Sequence, residues 1–456
     1  MEMKKYKLSE ICRIASSKRI FESEYVERGV PFIRGQEISD GSILDPKASF
    51  ECYISQSRYE EIKEKYGKPN KGDILITAVG TIGNLCYLDK DIDFYFKDGN
   101  VIWFSEIISS CDGKFLFHFM KSSYFKEQLK YFMIGAVQKA LTIDMLKKVE
   151  VPLPPLLTQQ KIATVLSTLD NKIALNHRIN AKLEAMAKRL YDYWFVQFDF
   201  PNEEGKPYKS SGGKMVWNEV LKREIPEGWE VKSINDISVS YRGVGYTAKD
   251  EKTEKDKNII LILRGNNISN NHIIYNGNTV YVDKSFVLEE QEIKKFDIII
   301  TMSSGSKEHV GKSAMFLFDS AHSYGAFCNK ITPNKECQYF LENYLHSESF
   351  IKYIRHSCSG TGINNLTNEH FDNAKFSFPT ESNLQLFNKK MKSIYDERAV
   401  VEKEIQKLTN LRDRLLPLLM NGQVEVGTNN SSEFCNAKLG KQATACDMNG
   451  QVEVEE

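Results

Sequence analysis

Apolar and polar positions along this chain follow two different periods. Short runs of β-branched and other apolar residues, bounded by Gly, Asn and Asp, predict strands at Val30–Ile33, Ile74–Thr77, 101–104, Ile259–Leu263 and Ile298–Thr301. Two later stretches change to a seven-residue period. The first reads Ile162, Leu169, Asn176, Leu183, Leu190, and the second Phe387, Ile394, Val401, Leu408, Leu415. Companion apolar residues stand at Val165, Leu166, Ile173, Ile179 and Met186, and at Met391, Ile405 and Leu411, with Lys172 and Arg398 interrupting them. A sustained heptad marks a coiled-coil seam, and Asn176 within it fixes register at a cost in stability. A long helix with a wide stripe packed on a globular domain is the other reading of the same pattern. Prolines 152, 154 and 155 precede the first stretch and Pro379 the second, with Thr158 and Thr380 as expected N-caps.

The two halves resemble each other. Gly135, Leu141, Thr142 and Pro154 lie 225 residues before Gly360, Leu366, Thr367 and Pro379, and Ser122 and Phe125 map onto Ser347 and Phe350 at the same shift. FIRGQEIS (Arg34, Gly35, Ile38, Ser39) parallels ILRGNNIS (Arg264, Gly265, Ile268, Ser269), and KGDILIT parallels KFDIIIT, at offsets of 230 and 224. The helical stretches keep their phase at 225. A repeat of globular domain plus long helix predicts an α+β fold. Two similar α/β domains would be separated by an antiparallel coiled coil of two long helices, a pseudo-two-fold internal repeat. The expected divisions are a first domain at 1–156, a central long helix at 157–198 and a Gly/Pro/Lys-rich linker at 199–224. A second domain at 225–380, a C-terminal long helix at 381–422 and an acidic, disordered tail at 423–456 complete the plan. Helical residues 158–195 would span about 57 Å, beyond the ~34 Å spacing of successive grooves on one face of B-DNA.

Composition narrows the class. Hydrophobic content of 41% with 27% charge describes an ordinary globular chain of several domains. No apolar run is long enough for a membrane span and the start lacks a signal-peptide core, so a cytoplasmic protein is expected. The nine cysteines form no C-x-x-C pair and the histidines show no ligand spacing, so no metal site is expected. Net charge is zero, but residues 1–420 carry a formal +4 that the acidic tail offsets. MNGQVEV occurs twice, at 420–426 and 448–454.

Catalytic signatures are weak. The Pro154-Pro155 pair lacks the flanks of an adenine-methylating loop, and Gly243-Val-Gly245 lacks the third glycine of a dinucleotide site. Gly305–Ser313 resembles a phosphate loop but has five residues between its glycines where a Walker loop has four. Asp199, Glu204 and Lys206 mimic a nuclease trio in a segment without flanking strands, and Asp89, Asp91 and Asp93 lack the glycine of a calcium loop.

The order of domain, PLPPLLTQQKIATVLSTLDNKI, AKLEAMAKRLYDYWF, linker, IPEGW, second domain and LTNLRDRLLPLLMNGQVEV resembles the specificity subunit of type I restriction-modification systems, over residues 1 to about 426. The resemblance implies that the two domains are target-recognition domains, each reading one half of a split, asymmetric site on double-stranded DNA. It implies that the helices dock two adenine-N6 methyltransferase subunits and, through them, restriction subunits. AdoMet, ATP and Mg would then belong to those partners, with no cofactor and no catalytic residue in this chain.

DNA reading needs side chains whose forks match base edges, with hydroxyls and lysines for phosphates. Matching loops of the two copies supply Arg34 and Gln36, and Arg264, Asn266 and Asn267. They also supply Thr77 and Thr81 against Ser303, Ser304, Ser306, Lys307 and Lys312, and Gln138 and Lys139 against Asn364 and Asn365. Arg34 and Arg264 occupy one position in both copies, which leaves a structural role open for them. Tyr191, Tyr193, Trp194 and Phe195 are either a partner anchor or core. Two other functions remain in view at this stage, a coiled-coil protein-binding scaffold and a nucleotide-binding enzyme built on Gly305–Ser313.

Overall fold

The computed structural model describes residues 3–426 apart from 40, 46–47, 134–139, 255, 270, 276–278, 307 and 358–363. The chain divides into two compact units, residues 1–174 with 406 onward, and residues 175–405. Each unit holds one copy of the repeat and a part of each long helix.

Topology establishes the repeat more firmly than sequence does. The first unit has an antiparallel sheet in the order Arg13–Ala15, Val101–Ser105, Ile74–Thr77, Leu85–Tyr87. The second has Ser238–Arg242, Cys328–Pro333, Ile298–Thr301, Ser313–Met315 in the same order. Beside it, Val30–Ile33 runs parallel to Tyr95–Phe96 and antiparallel to Tyr53–Ile54. Its counterpart Ile259–Leu263 runs parallel to His322–Tyr324 and antiparallel to Val280–Asp283. Each domain closes on itself by pairing its first and last strands, Lys4–Lys7 with Glu150–Leu153 and Glu230–Lys232 with Phe376–Phe378. Ile74–Thr77 and Ile298–Thr301 are buried at every position. That explains why they read as unbroken apolar runs rather than alternating ones.

Both closing strands lead into long helices, Leu156–Tyr191, which ends in a π turn at Asp192–Val196, and Glu381–Met420. Thr380 caps the second as expected, its hydroxyl accepting from the Asn383 amide at 3.5 Å. Thr158 does not cap the first: its own amide already donates to Pro155 within the opening turn. Gln159 ties that helix start to the domain instead, donating to the Ser110 and Pro154 carbonyls and accepting from the Asp112 amide.

Pairing of the helices is antiparallel within each unit. In the second unit Asn176 meets Glu404, Asn180 meets Glu402 and Glu184 meets Arg398, so numbers rise on one helix as they fall on the other. In the first, Asp170 meets Arg412 at 3.1 Å. Of the expected seam, Ile162, Asn176, Phe387 and Val401 are buried, whereas Leu169, Leu183, Leu190, Ile394, Leu408 and Leu415 are half-buried. An adjacent seven-residue row lies deeper: Gln159, Leu166, Ile173, Asn180 and Ala187, matched 225 residues on by Leu384, Met391, Arg398, Ile405 and a half-buried Arg412. Burial is shared between the two rows because each helix packs on its domain as well as on its partner, which widens the stripe. Met186 and Leu411 fall outside it and are exposed.

Three other expectations change. Arg398 does not interrupt the stripe; it is buried on it and paired with Glu342 and Glu184. Tyr191, Trp194 and Phe195 are core, packed with Phe340, Phe387 and Trp229, and only Tyr193 is exposed. The segment read as a linker is ordered: Met215–Asn218 pairs with Arg223–Pro226, and Phe200 stacks on Trp229. Past position 422, Val424 and Val426 still pack against the first unit's core, while 427–456 lie outside the described residues.

Candidate nucleic-acid interface

Each central buried strand, 74–77 or 298–301, ends where three loops meet. In the second unit Gly265 approaches Thr301 so closely that a Cβ there would meet its Cγ2 at 3.0 Å; Gly35 and Thr77 repeat the approach at 3.5 Å. The third loop arrives the same way in both copies, through a Leu141 amide donating to Ala78 and a Leu366 amide donating to Met302. In the second unit that loop adds a short ladder, Ser303 with Asn365 and Ser304 with Asn364.

A buried carboxylate holds the other end of each central strand. Asp73 accepts from the Asn70 amide and from Trp103 Nε1, both at 2.8 Å. Burial pushes its pKa up, and those two donors partly offset the rise. Asp297 takes the same place, with Lys330 at 3.4 Å where the first copy has Trp103. Behind the first unit's domain, buried His118 bonds Ser167 at 3.0 Å, and Asp170 joins Lys121 and Arg412. Burial, then the charge of Lys121, lowers the His118 pKa to about 4. Burial pushes the Asp170 carboxyl up, but Lys121 and Arg412 outweigh it and hold it low.

In the second unit the converging loops line a cleft of about 510 Å³ that contains Arg264, Asn266, Ser303 and Ser304. Three ring-bearing side chains that also line it, Tyr246, His309 and Phe327, are not among the residues expected from the sequence. Nothing in composition marks them, because exposure of an aromatic residue is a property of the folded turn. In the first unit Thr81 bonds Ser39 at 2.8 Å, Asn84 reaches the same Ser39 hydroxyl at 2.7 Å, and exposed Gln36 stands on the adjoining Gly35–Ser39 helix.

Other expected readers are committed to the fold. Asn267 is buried, accepting from the Arg264 amide at 3.0 Å and donating to the Ile274 carbonyl at 2.9 Å, so both polar ends of its side chain are engaged inside the fold. Thr77 is buried, donating to the Thr81 carbonyl and accepting from the Asn84 amide. Arg34 is pinned by Glu51 at 2.7 Å and Glu37 at 3.2 Å. The Glu51 hydrogen bond is the chief influence raising its pKa. Its charge is thus neutralised within the first domain, which favours the structural reading for Arg34. Ser306 is exposed with its amide on Ser304. Lys312 is not brought to the cleft; it lines a separate cavity with Glu308 and Arg355 and bonds His309 at 3.0 Å. Asn365 is exposed beside Ser303. Gln138, Lys139, Lys307 and the Asn364 side chain lie outside the described residues.

Gly305–Ser313 is no phosphate loop. It joins two antiparallel strands, Ile298–Thr301 and Ser313–Met315, whereas a phosphate loop must lead into a helix whose amides face the ligand. Among the described residues no cluster of His, Cys, Asp and Glu could hold a metal ion, and no helix is long and apolar enough to cross a membrane.

A duplicated α+β domain that carries a different set of polar side chains on the same loops in each copy, joined to paired long helices, defines the class of this chain. The chain belongs to the type I restriction modification DNA specificity family, whose domain model matches residues 1–185 and again 226–410, well over half of its length. It is 28% identical over 419 residues to the MjaIX specificity subunit of Methanocaldococcus jannaschii, covering 88% of each chain. It is 25% identical to the HindI specificity subunit of Haemophilus influenzae, covering 85% of this chain and 94% of that one. The crystal structure of the type I restriction-modification S subunit from M. genitalium shares the fold, with a TM-score of 0.51, 15% identity, and coverage of 92% and 96%.

Proposed function

We propose that each recognition domain reads one half of a bipartite, asymmetric site on double-stranded DNA, and that the paired helices fix the gap between the halves. The same helices would dock two methyltransferase subunits, with restriction subunits joining through them. AdoMet, ATP and Mg would serve chemistry in those partners while this chain supplies sequence specificity. One observation supports the reading: matching loops on the same central strand order display Gln36 and Thr81 in one copy and Asn266, Ser303 and Ser304 in the other. A scaffold that only bound protein through its helices would give no reason for these loops to converge and then to differ.

Near-neutral charge fits a subunit that works inside a complex, because affinity for duplex DNA grows with the number of phosphates neutralised. Purified chain bound to its cognate methyltransferase should prefer a bipartite duplex to random duplex by at least about a thousandfold at moderate salt. Equal binding to both would contradict the reading.

A further inference from the structure

Phe327 is 69% exposed, an uncommon position for a phenylalanine, at the rim of the cleft that holds Arg264, Asn266, Ser303 and Ser304. Its backbone is fixed. The Phe327 carbonyl accepts from the Met302 amide at 2.9 Å and from Ser303 at 3.3 Å, and the Cys328 amide closes the turn on Gly325 at 2.8 Å. The ring is therefore held in solvent by the ends of two strands rather than by a loose loop.

The first copy identifies what is particular to this position. There the Ala78 amide donates at 2.7 Å to the carbonyl of Asn100, the residue just before strand Val101–Ser105, as Phe327 just precedes Cys328–Pro333. The repeat thus offers an amide side chain in one domain and an apolar ring in the other, on a matched backbone. Arg and Asn read purine edges in the major groove, and the apolar feature that groove presents is the C5-methyl group of thymine.

Building on the DNA-reading function proposed above, we propose that Phe327 is a specificity-determining residue of the second recognition domain that packs its ring against a thymine methyl group in the major groove. The cleft supplies the hydrogen-bonding partners and Phe327 the apolar one.

The test uses the assembled complex with its methyltransferase and a duplex carrying the cognate site. Each thymine of the second half-site, on either strand, is replaced in turn by deoxyuridine, which removes only the methyl group. One replacement should slow methylation by wild-type protein about tenfold. Phe327→Ala should be slower by a similar factor on the natural site yet indifferent to that same replacement. Phe327→Leu should keep part of the thymine preference, which separates lost contact from lost folding. Unchanged thymine preference in Phe327→Ala, or no thymine of the second half-site whose replacement slows the wild-type protein, would overturn the inference while leaving bipartite reading intact. Failure of wild-type complex to distinguish the bipartite site from random duplex would instead remove the function on which it rests.

Discussion

Burial of His118 makes the first unit's stability depend on pH between about 4 and 6.5. In the folded chain the ring stays neutral down to about 4, whereas an unfolded histidine gains its proton below 6.5. The unfolded state therefore binds more protons in this window, so stability is fully present above it and is lost as pH falls through it. The full loss is about 3 kcal/mol. Asp170, with its lowered carboxyl, acts below the window, and Asp73, with its raised one, opposes His118 within it. Asn343 occupies the equivalent place 225 residues on, where it bonds Tyr395 at 3.0 Å, so His118→Asn is a substitution this fold accommodates. Hydrogen exchange of the Gly113–Lys121 helix should show wild type losing protection relative to His118→Asn between pH 7.5 and 4.5. An unchanged difference at the two pH values would contradict the assignment.

Elements were legible where a single period governs burial and illegible where two neighbours share it. The buried strands Val30–Ile33 and Ile298–Thr301 lie where their apolar runs put them, because both faces are covered and no polar face competes. Seam phase was only half legible: Gln159, Asn180 and Arg398 occupy the deepest row, and a hydropathy pattern treats them as interruptions. Their burial follows from partners far away in sequence, such as Glu402 for Asn180 and Glu342 for Arg398. In the same way Asn267 and Thr77 looked like base readers because their types suit it, although the fold consumes both of their polar ends. Arg398 offers the sharpest test at this scale. Burial opposes its charge, but Glu342 and Glu184 outweigh that and raise its pKa. Arg398→Met leaves Glu342 buried against the Tyr395 hydroxyl without its cation, and should cost roughly 3–5 kcal/mol in urea unfolding. Adding Glu342→Leu should recover part of that loss, since an apolar replacement of a whole buried pair is often neutral. A single variant as stable as wild type would show the pair to be dispensable.

For the whole molecule, the duplication was readable from a few anchored residues at offset 225, and the matched strand orders then gave it physical form. Two copies of one topology can diverge at loop tips without disturbing the sheets that carry them, because Asp73 and Asp297 pin the far end of each central strand. On the proposed reading, the two domains could then change targets separately. Methylation mapping across the genome, in cells with the gene, without it, and with residues 1–153 exchanged for those of another family member, tests this most directly. The account expects a split motif with a fixed gap that vanishes without the gene and changes in only one half after the exchange. A continuous motif, or an exchange that alters both halves or neither, would contradict it.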